Sequence, residues 1–460
     1  MAQSEQQTFW ALNGSASALT WDNTTGNNRI DNGSGTWNSG SKTWTFNKGI
    51  TDVVWNPAAT AIFGGNPGTG AAGTITVTGT QTVQALVFNP AASGTFTLTG
   101  GTIINTSGNI TANANADINC TLGGSSGLTL TGTAADTIRN MTTYTGTTTI
   151  NSGTLVLSNG TPNSTTPTLT TPVVIASGGT LAADVLSNNI NLSGAISGSG
   201  TLSIAATGAQ GQTLRLYGSN SSFTGNFLEP TTTRGLMWSD NGGTGNAANT
   251  GSAAASWNVS GSFGFIETAG AATPIVQLGS LSGTAGTTTL GGFSGSGTKT
   301  FQIGALNTST TFAGAIQDNP QATGTPVIAL IKVGAGTLTL SGTNTYSGST
   351  TVNAGTLAFT TAIPSSNTWN IAVNATSTPT SAGSGLMTIP TTALTTLAGK
   401  TLNIVLTGTS TGFMWTAMSF STFVTLNLMT LELNGVSVTS GVATGGTTIT
   451  NTGTGITVKR

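Results

Sequence analysis

One stretch constrains this chain more than any other: Leu330 to Phe359, LIKVGAGTLTLSGTNTYSGSTTVNAGTLAF. Gly336-Thr337-Leu338 recurs as Gly355-Thr356-Leu357, nineteen residues on. Glycine permits a turn at positive φ, threonine favours an extended backbone, and leucine supplies an apolar side chain to one face. Glycine, asparagine and serine separate the two short apolar-alternating runs. A unit this small cannot bury its own apolar face, so it needs copies stacked on it.

Copies are present. Gly73-Thr74-Ile75 is followed by Gly94-Thr95-Phe96 at a spacing of 21. Gly153-Thr154-Leu155, Gly179-Thr180-Leu181 and Gly200-Thr201-Leu202 follow at spacings of 26 and 21. Tyr144 to Leu157 matches Tyr346 to Phe359 position by position, and TLRLYGSNSSFTGNF, with Leu214, Leu216, Gly218, Asn220 and Gly225 in register, is a weaker copy. Within the runs apolar residues alternate, as in Leu128 and Leu130 or Leu202 and Ile204. Period two indicates half-buried strands, and the longer return indicates one turn of a solenoid per copy. No helical period is sustained anywhere.

The wording at 330 to 359 resembles the autotransporter-associated β-strand repeat of bacterial surface proteins. The resemblance rests on the lysine-glycine step (Lys332, Gly334, Gly336) and the Thr-Leu-x-Leu-x-Gly strand (Thr337, Leu338, Leu340, Gly342). It continues through the Asn-Thr-Tyr turn (Asn344, Thr345, Tyr346) and closes on Gly348, Thr350, Val352, Gly355, Thr356 and Leu357. It implies an all-β fold, a right-handed parallel β-helix (β-solenoid) with capping segments at both ends. It also implies display outside the cell, and the reading taken is a non-enzymatic structural or adhesive rod of the passenger type.

Three regions are expected. Residues 1–65 are rich in tryptophan and precede the first coil. They read as a cap over the open solenoid end, which otherwise presents unpaired backbone groups. The alternative is an aromatic binding surface for surface glycans, formed by Trp21, Trp37, Trp44 and Trp55. Residues 66–360 form the body, with a lapse in rhythm at about 226–262 that reads as a longer loop, a lateral insertion or an irregular coil. Residues 361–460 lose the glycine-threonine-leucine signature. Their apolar cluster, including Phe413, Trp415, Phe420 and Phe423, reads as a cap or as an assembly surface for a second copy, end to end or lateral, with fibres as the outcome.

Composition narrows the function further. Charged residues make up 5% of the 460 and the net charge is −1, against roughly 25% charged in ordinary domains. With 36% hydrophobic residues, the chain lacks the high-charge, low-hydrophobicity signature of disorder. Without a basic excess the electrostatic drive toward nucleic acid is missing. Cys120 is the only cysteine, so no internal disulfide forms, and its alternation with Ile118 and Leu122 places it inside. No window approaches the ~18 apolar residues of a membrane helix. No secretory signal opens the chain at Met1-Ala2-Gln3; the expectation is a protein of the extracellular space or bacterial outer surface whose leader has been removed.

Chemistry is sparse. Histidine is absent, which removes the commonest general base and metal ligand. The acids are scattered, without the close spacing of oxygen ligands that a calcium loop needs. No phosphate loop or nucleotide fingerprint occurs, so no cofactor and no metal is expected. The enzymatic rival is a polysaccharide-binding or polysaccharide-degrading β-helix of the pectate-lyase kind. Asp117 and Asp136, with Arg139 nearby, are its candidate acids, and Glu229, Arg234 and Asp240 form a looser group. A third reading is an ice-binding solenoid with threonine rows at Thr74, Thr76, Thr78; Thr95, Thr97, Thr99; and Thr129, Thr131, Thr133.

Overall fold

The computed structural model describes residues 17–65, 70–138, 143–158, 168–185, 188–205, 213–229, 235–239, 251–260, 263–267, 275–284, 289–292, 295–319, 324–360, 368–374, 385–389, 401–407, 414–420, 430–434, 436–438, 440, 443–444, 447–452 and 455–459. Among them the secondary structure is all β, without a helix, and most strand pairs are parallel, as in a β-solenoid. Two compact units divide the chain, Met1–Leu214 and Arg215–Arg460.

In the first unit each copy of the repeat is one coil. Gly153, Thr154 and Leu155 pair with Gly179, Thr180 and Leu181, and the last two pair with Thr201 and Leu202. Inward positions line up as columns. Leu98, Ile118, Ile138, Leu157, Ala183 and Ile204 are successive partners, all buried. Leu86, Ile110, Leu130, Ile150 and Ile175 form a second column, also fully buried. Each inward Leu or Ile contributes on the order of 1.5–3 kcal/mol of burial. Cys120 lies inside as its alternation requires, and burial pushes its thiol up to about 12.

One spacing misleads. The triplets at 73 and 94 do not stack on each other; Thr74 pairs with Thr97 and Ile75 with Leu98. The offset of two residues keeps every side chain on its expected face, because the strand period is two.

Among the described residues of this unit, antiparallel pairs occur in the tryptophan-rich segment. Ala18–Trp21 pairs antiparallel with Trp44–Thr45, which pairs antiparallel with Asp52–Val53. Thr60–Phe63 and Gly35–Trp37 then lie parallel against Thr74–Phe88, the first long strand of the coils.

In the second unit, Leu278, Ile303, Lys332, Val352, Ile371, Ile404 and Leu433 occupy successive register positions. The stretch 226–262 contributes three strands to parallel ladders: Asn226–Glu229, Gly235–Ser239 and Gly251–Val259. A register shift between Ser252 and Ser256 makes this coil irregular. Residues 240–250 lie outside the described residues. Toward the end of the chain the parallel pairing gives way to antiparallel hairpins. Met414–Phe420 is parallel to Gly385–Ile389 but antiparallel to Gly455–Lys459, and Thr430–Leu433 pairs antiparallel with Val436–Val438.

Candidate functional site

The repeat at 330 to 359 runs from one coil into the next, with a specific construction at each corner. Thr337 and Leu338 pair with Thr356 and Leu357, so the two triplets that define the stretch are the same position on consecutive coils. Leu338, Leu340, Val352, Leu357 and Phe359 are buried. The strand Thr325–Lys332 enters the first corner, where Gly334 has φ 72, and Gly355 repeats that corner one coil on with φ 66.

Lys332 stands in a column of apolar positions and is buried. Its Nζ donates to the carbonyls of Val333 (2.7 Å), Gly334 (2.7 Å) and Ala354 (3.2 Å). The first two belong to its own corner and the third to the next coil. The ammonium thus ties adjacent coils together through carbonyls that a glycine-rich corner leaves without ladder partners. Burial pulls its pKa down to about 8, so the amine still carries its charge at neutral pH. Lys332→Met is expected to lower stability by about 1–3 kcal/mol at pH 7, the cost of leaving buried acceptors without a donor. The wild type gains stability as pH rises from about 8 toward the lysine value of 10.5, because in that window the unfolded chain binds the proton and the folded chain does not. The methionine variant lacks that rise. Denaturant midpoints of both proteins across this range check the point, and equal midpoints at pH 7 exclude the role.

The second corner is built by Asn344. Its Oδ1 accepts from the Ile316 amide (3.1 Å) while the Thr345 amide donates to the Ile316 carbonyl (2.8 Å). Both ladder bonds of Ile316 are therefore completed without a strand on this side of the coil. Asn344 Nδ2 also donates to the Gly342 carbonyl (2.9 Å). The asparagine works through backbone groups and not through a ladder of asparagines; Asn353 is exposed. Tyr346 is fully buried, with its hydroxyl 2.8 Å from Thr350 Oγ1, and burial raises its phenol above the ordinary range. Asp318 accepts from the amides of Ile328 (2.7 Å) and Ser347 (3.1 Å) and pins the following turn. Lys332, Asn344 and Asp318 thus each tie one coil to the next.

The alternative reading of the tryptophans, an aromatic binding surface, meets four buried side chains. Trp21, Trp37, Trp44 and Trp55 are all buried. Trp44 lies 5.4 Å from Trp21, 4.9 Å from Trp37 and 4.5 Å from Trp55 between ring centroids. Phe63 and Phe88 continue the cluster into the coils. Trp55 Nε1 donates to the Thr82 carbonyl (2.9 Å), which fastens the cluster to the first long strand. The indoles hold the unit's core together and offer no platform to a glycan. Phe413 and Phe423 lie outside the described residues. Trp415 pairs in register with Val458 and Phe420 with Ile389.

The candidate acid pair is also separated. Asp117 and Asp136 lie on consecutive coils, but Asp136 pairs with Ala116 while Asp117 pairs with Thr137. Asp136 is therefore inward and buried, whereas Asp117 lies on the outer face beside Asn119. Two acids on opposite faces of a strand cannot share a substrate. Arg139, Arg234 and Asp240 lie outside the described residues; Glu229 is buried. Among the described residues no group of acids, cysteine or histidine could hold a metal ion. The threonine rows do not form one array. Thr74 and Thr76 pair with Thr97 and Thr99, but the next partner of Thr97 is Asp117. Thr129 and Thr131 pair with Asn109 and Thr111, on another strand run.

Sequence reasoning missed the inward placement of Asp136, although its two-residue spacing from Ile138 carried the signal. It also missed the Lys332 clamp, which a lone lysine in an apolar run hints at. No curated protein and no solved structure matches the chain. Residues 330–359 match the passenger-associated-transport-repeat family. The chain thus carries a passenger-associated-transport-repeat within a β-solenoid, a fold consistent with an autotransporter passenger.

Proposed function

We propose that this protein is a non-enzymatic surface solenoid of the passenger type, a structural or adhesive rod held at the bacterial outer surface or outside the cell. The observation that carries the reading is the repeat at 330–359, whose two Gly-Thr-Leu triplets stack as successive coils. Lys332 and Asn344 of that repeat, with Asp318 before it, hold neighbouring coils together, which is the chemistry of a scaffold. The near-absence of charge leaves a surface of hydroxyls and amides. Such a surface opposes self-association only weakly, so lateral or end-to-end assembly into fibres belongs to the same reading. The antiparallel hairpins at either end of the chain serve as caps that shield parallel edges.

An antibody raised against the folded protein is expected to bind intact cells that express the full-length gene product. Binding only after lysis overturns the surface assignment. Release of unsaturated or reducing sugars from polygalacturonate by the purified protein overturns the non-enzymatic assignment. Electron microscopy at rising concentration separates single rods from fibres, and a glycan array separates an adhesin from a bare scaffold.

A further inference from the structure

The Ala135–Ile138 strand carries an acid where the coil calls for an apolar side chain. Phe96, Ala116, Asp136, Leu155, Leu181 and Leu202 are successive partners in one inward column. Asp136 is fully buried there, and neither of its carboxyl oxygens has a hydrogen-bond partner. The two strands paired with it, Ala116–Ile118 and Thr148–Ser158, present one charged side chain between them, that of Asp117, on the outer face. Phe96–Ala112, Thr121–Gly124 and Leu128–Gly132, which complete the surrounding coils, carry none. The nearby Cys120 thiol is buried and neutral. Arg139 and the side chain of Tyr144 lie outside the described residues. Among the described residues no cation faces the carboxyl, so its ionised form meets mainly apolar walls, relieved by the Ala116 backbone.

We infer that Asp136 makes its coil a pH-gated weak point: the coil is closed while the carboxyl holds its proton and opens locally once it ionises. Burial pushes the carboxyl up to about 8, and the Ala116 backbone beside it offsets only a fraction of that penalty. The direction follows from proton counting. In the unfolded chain an aspartate titrates near 3.8, so between about 4 and 8 the folded coil binds a proton that the open coil does not. Stability contributed by this site is complete in acid and is lost as pH rises through that window, with the opening equilibrium growing about tenfold per pH unit. In a solenoid each coil is held by its neighbours alone, so opening at one coil is a local event. The gating goes beyond the scaffold reading and does not depend on it.

Hydrogen exchange on the full chain tests the inference. After correction for intrinsic rates, protection of residues 116–138 and 143–157 is expected to fall between pH 5 and pH 8 relative to residues 74–88. Asp136→Asn and Asp136→Leu are expected to abolish that difference, and Asp117→Asn is expected to keep it. The same fall in both Asp136 variants, or no fall in the wild type, overturns the inference. Should neither variant fold, infrared spectroscopy of the wild type decides. A protonated carboxylic-acid C=O band at pH 6 that disappears by pH 9 together with the protection supports the gate, and its absence at pH 6 overturns it.

Discussion

Leu338→Asp is expected to unfold the coil that carries it, while Thr339→Asp leaves the melting curve close to that of the wild type. The two residues are neighbours in one strand, Thr337–Leu340, but Leu338 is buried and Thr339 is half-buried on the other face. Leu338 lies in register between Thr310 and Leu357, so the new carboxylate would sit inside the ladder. The substitution removes about 1.5–3 kcal/mol of burial and adds the cost of an unpaired buried charge, several kcal/mol more. A domain holds only about 5–15 kcal/mol in total. Circular dichroism melts at pH 7 check this, and equal midpoints for the two variants overturn the face assignment. The Leu338→Asp protein should partly recover in acid, where the carboxyl is neutral.

Gly334→Val is expected to be comparably damaging through the backbone. Gly334 has φ 72, and a Cβ there would meet the Gly304 carbonyl oxygen at 2.0 Å. The obstacle is main chain from the adjacent coil and cannot rotate away. Gly355, one coil on, is as tight, with the Gly334 and Gly336 carbonyl oxygens at 2.4 and 2.5 Å from its Cβ position. Gly79 supplies the control: its φ is +66, but nothing lies within 4 Å of the added carbon. Gly79→Val therefore suffers strain alone, about 1–3 kcal/mol. Gly334→Val must in addition push adjacent coils apart, and a loss of more than about 3 kcal/mol is expected. Urea midpoints distinguish the pair; equal losses overturn the argument from coil contact.

Much of the fold was legible because a parallel ladder writes itself into sequence twice. Period-two alternation marks the faces, and the return of Gly-Thr-Leu marks the coil, as at Leu155, Leu181 and Leu202. Where Gly-Thr was present but the pairing partner differed, at 73 and 94, the spacing gave the wrong register. A short motif constrains the corner it forms, whereas register depends on the whole length of both strands. The candidate sites were less legible. Trp21, Trp37, Trp44 and Trp55 look alike in sequence whether they form a platform or a core, since an indole suits both, and their burial depends on strands that cross from elsewhere in the chain.

The sequence by itself determined the all-β solenoid, the face of each residue in the regular strands and the repeat at 330–359, because these follow from local periodicity and backbone preference. Tertiary structure alone decided that Trp21, Trp37, Trp44 and Trp55 turn inward, and that Lys332 and Asn344 hold neighbouring coils by their carbonyls and amides. Each of those outcomes depends on which coil lies next to which, and on what remains unpaired once the coils are stacked.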